Sequence, residues 1–286
     1  MNLFALCRNN NGVEIKRVPI TNPLQTELGN VFAQQEDAFR EGRPNEVVFN
    51  GDWKPDDDEL LVLNATPDAN TMLLAAQGNA LAVPPIDIAN FDNENIRALF
   101  IGVGNNGAMR LLVQRFTAQQ RLNRRLAIFL QQNNFQRLID PAFTIGTNLT
   151  CIIENDEIKF SSYSNLRMIF DLAQFYQAAT DEDIDGFAEH ASLNIDDLNA
   201  FKAHANQTVR KLIHKVNSDG TLDNYTVADI QAKAQIMELD LDVQNGQTQI
   251  PQDQELAKRF LRFLDDSLYE APLSGQRYVT NSKRAV

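Results

Sequence analysis

The pattern of apolar residues changes once along the chain, near residue 160. Before that point apolar residues come in short runs separated by turn-forming residues. Leu3–Cys7 and Val13–Val18 flank Asn9-Asn10-Asn11-Gly12, Ala98–Val103 and Met109–Phe116 bracket Gly104-Asn105-Asn106-Gly107, and Cys151–Ile153 and Glu157–Phe160 enclose Glu154-Asn155-Asp156. Each reads as a hairpin. Glu46–Phe49, Leu60–Leu63, Ala127–Leu130 and Phe135–Ile139 are further strand candidates, and residues 65–95 read as loop. One early helix starts at Thr21 or Asn22 with Pro23 at its first position and carries Leu24, Leu28, Val31 and Phe32 on one face. After residue 160 the period becomes helical, over Asn165–Ala178, Asp181–His190, Ile195–Val216, Thr226–Leu239 and Gln252–Leu268, and the chain ends in a polar tail. Strands followed by helices predict an α+β fold, with a strand-rich antiparallel N-terminal half and a helical C-terminal half.

No apolar run reaches the roughly 18 residues that a membrane-spanning helix needs. The N-terminus lacks a basic start and reads as a strand, not as a leader. The only cysteines, Cys7 and Cys151, sit among apolar residues and offer no zinc spacing, which predicts buried, reduced thiols and a cytoplasmic protein.

Charge is distributed unevenly. The chain has a formal net charge of −12, yet no Asp or Glu lies between Glu94 and Asp140, a window that holds Arg97, Arg110, Arg115, Arg121, Arg124, Arg125 and Arg137. Its densest part runs from Arg110 to Arg125. Arginine is always charged, and its planar fork fits phosphate. Alternation along a strand sends Arg115 to the face opposite Leu112 and Gln114, so only some of these arginines can share a surface. No aromatic residues interleave as a stacking platform, so the composition suits phosphate contacts better than base reading. A solvated surface balanced by acidic patches elsewhere accounts for the same residues.

Other motifs carry less. Gly102-Val-Gly104-Asn-Asn-Gly107 spells a dinucleotide fingerprint, but a strand follows it and no acidic residue occurs before Asp140. Asp140, Glu157 and Lys159 imitate the carboxylate and lysine set of metal-dependent nucleases, which competes with an ordinary hairpin. Asp56-Asp57-Asp58-Glu59 reads as a solvated turn. His190, His204 and His214 have no i, i+4 pairing, so no metal site is expected. No nucleophile with a base is apparent, and neither catalytic residues nor a cofactor is expected.

The stretch from Thr150 through the Glu157–Phe160 strand to Asn165-Leu-Arg-Met-Ile-Phe170 resembles the B component of the Kiwa anti-phage defence system, as do Tyr278–Arg284 and Gln114-Arg-Phe-Thr with Leu122. Thr150 departs from the aspartate expected at the entry to that hairpin. The resemblance covers roughly residues 95–286 and implies a division into an N-terminal α/β region, 1–95, and a Kiwa B-type domain, 96–286. It also implies a DNA-binding effector that blocks phage replication and transcription. Such an effector would be homodimeric and held at the membrane by a small membrane-spanning A component. On that reading Arg110, Arg115, Arg121, Arg124 and Arg125 contact phosphates, with Lys283 and Arg284 as a second group. A nuclease built on Asp140, Glu157 and Lys159, and an interaction scaffold that ignores DNA, are the alternatives.

Overall fold

The computed structural model describes residues 1–9, 12–51, 54–104, 108–122, 126–175, 177–280 and 283. The chain forms two compact units, residues 1–49 with 55–171, and residues 50–54 with 172–286.

The first unit contains β1 (Leu3–Asn9), β2 (Gly12–Val18), α1 (Asn22–Arg40), β3 (Asn45–Val48), β4 (Glu59–Asn64), α2 (Pro67–Gln77), β5 (Ile96–Val103) and β6 (Arg110–Arg115). It continues with β7 (Ile128–Gln131), β8 (Asn134–Arg137), β9 (Cys151–Glu154), β10 (Glu157–Phe160) and α3 (Tyr163–Leu166). Eight strands make one sheet in the order β2-β1-β5-β6-β9-β10-β4-β3. Every pairing is antiparallel except β3 with β4. Side chains alternate across this sheet. One face buries Leu3, Ala5, Leu99, Ile101, Leu112 and Ile152 against Leu28, Phe32 and Phe39 of α1. The opposite face carries α2, where Asp68 pairs with Arg8 at 2.6 Å. Gly102 lies under this helix, and a Cβ there would sit 3.0 Å from Cβ of Ala76. Gly104 has φ +106°, in the region that only glycine enters readily. Gly102 and Gly104 of the apparent fingerprint therefore serve helix packing and a turn, and Gly107 lies outside the described residues.

The second unit contains α4 (Asp181–Ala188), β11 (Leu193–Asn194), α5 (Leu198–His204), α6 (Gln207–Ser218), α7 (Thr221–Asn224), α8 (Val227–Ile236), β12 (Val243–Gln244), β13 (Gln247–Gln249), α9 (Gln254–Leu264), β14 (Leu268–Glu270) and β15 (Arg277–Val279). Its core joins Ile184 and Phe187 of α4, Val209, Ile213 and Val216 of α6, Ile230 of α8, and Phe260, Leu261 and Leu264 of α9.

The α+β class holds, with the large antiparallel-rich sheet first and most helices after it. Several local expectations change. Residues 65–95 include α2, which starts where Thr66 caps Ala69 N and Pro67 takes the first position. Asn165–Ala178 is not one helix, because a single turn at α3 already buries Leu166, with Ile169 and Phe170 buried just after it. Ile195–Val216 breaks at Ala205, and Asn206 caps α6 through the N–H groups of Thr208 and Val209. The start of the polar tail is paired, Arg277–Val279 as β15 against β14. A division at residues 95/96 falls inside the first unit, where β5 pairs with β1 on one side and β6 on the other.

Candidate nucleic-acid interface

The β5–β6 register fixes the arginines of the basic window. Val103 lies opposite Arg110 and Ala98 opposite Arg115, and the N–H of Phe116 donates to the carbonyl of Arg97 at 2.8 Å. Arg110 and Arg115 are five residues apart on one strand, so they face opposite sides of the sheet.

Arg110 points to α1. It donates from Nε to Oε1 of Glu36 at 2.7 Å and from Nη2 to Oε2 at 3.0 Å. On the same face Gln114 donates to Oε1 of Gln35 and receives the N–H of Gly146 at 2.9 Å. The hydrogen bond to Glu36 holds the Arg110 guanidinium above its ordinary range. Arg110 is thus one end of an ion-pair chain. Glu36 meets Arg40 at 3.2 Å, Arg40 meets Glu154 at 2.8 Å, Glu154 meets Lys159 at 3.1 Å, and Lys159 meets Glu46 at 2.5 Å. Three cations alternate with three carboxylates, which leaves the chain of pairs formally neutral.

Arg121 is buried at 4% exposure. Its guanidinium donates to the carbonyl of Phe91 at 2.6 Å and to that of Glu94, and it lies 4.9 Å from the Phe91 ring and 5.6 Å from the Phe116 ring. Those interactions tie the segment after β6 to residues 91–94, and Arg121 lines the cleft that also holds Arg97 and Arg115.

Arg115 lies on the other face, where its Nη1 donates to Oδ1 of Asn165 at 3.1 Å in an exposed contact. Its backbone N–H donates to Oγ1 of Thr150 at 2.8 Å, so the threonine at the hairpin entry positions this strand end. Arg115 and Arg97 line one cleft of about 560 Å³ with Thr117, Gln119, Asp92 and Glu94. The Nε of Arg97 is buried without a hydrogen-bond partner. Glu94 is held by Lys16 at 2.8 Å, which offsets one of the two acidic walls. Charge patterning alone gives Arg97 no special place in the basic window. The signal that does is the hairpin register, which sets it beside Phe116.

Arg124, Arg125 and Arg284 lie outside the described residues. Lys283 belongs to the second unit, where its Nζ meets Oδ1 of Asp265 at 3.0 Å. Lys159 pairs with Glu46 and Glu154, not with Asp140 or Glu157. Among the described residues no group of three or more His, Cys, Asp or Glu is arranged to hold a metal ion.

The second half of the basic window is an apolar ribbon. Among the described residues β7 and β8 pair only with each other, through a turn at Gln132 (φ 47°) and Asn133 (φ 64°). The bond from Leu138 N to Ala127 O at 2.8 Å extends the register. Alternation then gathers Leu126, Ile128, Leu130, Phe135 and Ile139 on one face with Arg137, and all five apolar side chains are exposed. Among the described residues no helix is long and apolar enough to cross a membrane.

No curated protein and no solved structure matches the chain. The family model described as Kiwa protein KwaB-like matches residues 93–274, from just before β5 through β14. That is more than half of the sequence and includes the arginine cleft, the ribbon, the hairpin of β9 and β10 and most of the helical unit, so the chain belongs to the Kiwa protein KwaB-like family and serves in Kiwa anti-phage defence.

Proposed function

We propose that the chain is the DNA-binding effector of its defence system, that it binds without cutting, and that it works as a homodimer beside a small membrane-embedded component that holds it at the membrane. The observation that carries the DNA reading is that Arg97 of β5 and Arg115 of β6 line one cleft beside the neutral donors Thr117 and Gln119. Arg124 and Arg125 follow within ten residues in the sequence and add charge to the same segment. Arginine forks and neutral side-chain donors are the groups that grip phosphate oxygens. The guanidinium of Arg110 is taken up by Glu36 and that of Arg121 by two backbone carbonyls, so this reading gives the phosphate contacts to Arg97 and Arg115.

A gel-shift series with duplex and single-stranded DNA tests this reading. Affinity should fall steeply with salt, and Arg97→Glu with Arg115→Glu should lower the log–log salt slope by about 0.9 for each phosphate no longer neutralised. A doubly substituted chain that melts normally and binds DNA as the parent does would end the assignment. Magnesium-dependent cleavage abolished by Glu157→Ala would favour the nuclease instead.

The interaction reading has its own support. A two-stranded ribbon with an unpartnered apolar face is marginal in water and gains from a covering surface. That face, with Arg137 within it, suits a membrane-embedded protein whose exposed part joins apolar and acidic groups.

A further inference from the structure

The second unit holds a basic cavity lined by Lys283 but by neither Arg97 nor Arg115. It measures about 610 Å³ and is lined from α6, the end of α9, Thr280 and Lys283. From α6 come Thr208, Lys211, His214, Lys215 and Ser218, which recur at the three- and four-residue spacing of one helical face. Arg262 enters from α9, and Thr280 and Lys283 from the chain end.

The cluster is built on a buried carboxylate. The side chain of Asp265 is 1% exposed, and its Oδ1 meets Lys215 at 3.2 Å and Lys283 at 3.0 Å. The hydroxyl of Ser267 donates to the other oxygen, and Lys283 also donates to the Asp265 carbonyl. A buried carboxylate held by two ammoniums fixes their positions and removes much of the entropy cost of ordering lysine side chains. Among the described residues the guanidinium of Arg262 has no hydrogen-bond or ion-pair partner. The lining carries four cations, Lys211, Lys215, Arg262 and Lys283, against Asp219 and Asp265. In a chain of net charge −12 this is a local excess of positive charge in a concave site.

We infer that this cavity binds a small phosphorylated ligand of nucleotide size. Ammonium, guanidinium and hydroxyl donors converging on one hollow are the groups that replace water around a phosphate. The volume lies within the roughly 300–1,000 Å³ usual for small-molecule sites, whereas a duplex backbone needs an open track. Phe175 and the side-chain amide of Gln177, on the same wall, offer an apolar surface and a polar edge for the part that bears the phosphate.

Pyrophosphate and ATP, titrated into the full-length chain by calorimetry, test the inference. Both should bind, with ATP tighter, and Arg262→Glu should weaken both at least tenfold. Lys211→Glu serves as a second variant, since it leaves the Asp265 cluster intact. The Arg97→Glu, Arg115→Glu chain should bind both ligands as the parent does, and Arg262→Glu should change duplex affinity less than twofold. Absence of binding to either probe would overturn the inference, as would parental affinity in both Arg262→Glu and Lys211→Glu. Loss of duplex binding in Arg262→Glu, with DNA displacing pyrophosphate, would also overturn it, since the cavity would then be part of the DNA surface.

Discussion

Arg110 holds Glu36 through two parallel N–H···O bonds, Nε to Oε1 and Nη2 to Oε2, which fasten β6 to α1. A bidentate pair is among the strongest hydrogen-bonded geometries available to a protein. The guanidinium is about one-third exposed, so its contribution is reduced by solvent screening. Arg110→Ala is expected to cost about 1–2 kcal/mol, partly by leaving the buried Glu36 with Arg40 alone. Urea unfolding measures that cost. The salt slope of DNA binding should stay at the parental value, because this arginine lies on the sheet face opposite Arg115.

Arg121 presents a sharper case. Arg121→Ala removes two charge-assisted bonds to carbonyls and a cation held against two aromatic rings, and is expected to cost about 2–4 kcal/mol. Arg121→Lys should recover little, since one ammonium cannot reproduce a planar fork that reaches both Phe91 O and Glu94 O. Thermal melting of both variants checks this. A stable Arg121→Ala chain with weakened DNA binding would move the residue back into the interface.

The distinction between these arginines is only partly legible in the sequence. Alternation along β6 separates Arg115 from Gln114, and the hairpin register contains the placement of Arg97. The burial of Arg121 is not readable, because its acceptors lie 27 and 30 residues upstream and a lone arginine after a strand looks the same beside a carbonyl or a phosphate. The start of α2 is written in Thr66-Pro67-Asp68, but its apolar residues fall on no single clean face, and periodicity passes over it. The basic cavity is half visible. Lys211 and Lys215 share a face of α6 by spacing, while Arg262 and Lys283 reach it only through tertiary packing.

Acid should loosen the ion-pair chain at Glu154. Burial pushes that carboxyl up, but hydrogen bonds from Arg40 and Lys159 outweigh it, so it lies below its ordinary value of 4.5. A carboxyl lowered by folding stabilises the fold above its unfolded value, and that contribution disappears as pH falls through the folded value. Burial pulls Lys159 down, but its bonds to Glu46 and Glu154 raise it above 10.5, so its contribution is constant on the acid side. Glu154→Gln is therefore expected to be less stable than the parent at pH 7, with the gap closing below about pH 4.5. Urea midpoints at pH 7, 5, 4 and 3 give the comparison, and a pH-independent gap would show that the pairs contribute no linkage.

Both thiols should be inert in the folded chain. Burial pushes Cys7 up to about 12, with Glu94 adding to the effect, and burial raises Cys151 as well. The thiolate is the nucleophile, so alkylation of Cys7 at pH 8 is expected to run about 10³-fold slower than that of a free cysteine near 8.5. Iodoacetamide labelling followed by mass spectrometry should find no adduct in the native chain and two after unfolding in urea.

The ribbon face provides the test of the membrane-partner reading. Leu130 and Phe135 are directly paired across β7 and β8 and are 62% and 77% exposed, so changing both to Gln removes little buried apolar area and should shift stability by less than about 0.5 kcal/mol. Against a covering partner the same two side chains would each be worth about 1.5–3 kcal/mol, enough for a tenfold or greater loss of affinity from the pair. Co-sedimentation with vesicles that carry the membrane-embedded component is the measurement. The parent chain should pellet and the Leu130→Gln, Phe135→Gln chain should remain in solution, with duplex binding through Arg97 and Arg115 unchanged. Equal pelleting of the two chains would exclude this face as the docking surface. Simultaneous loss of DNA binding would place the ribbon in the nucleic-acid interface instead.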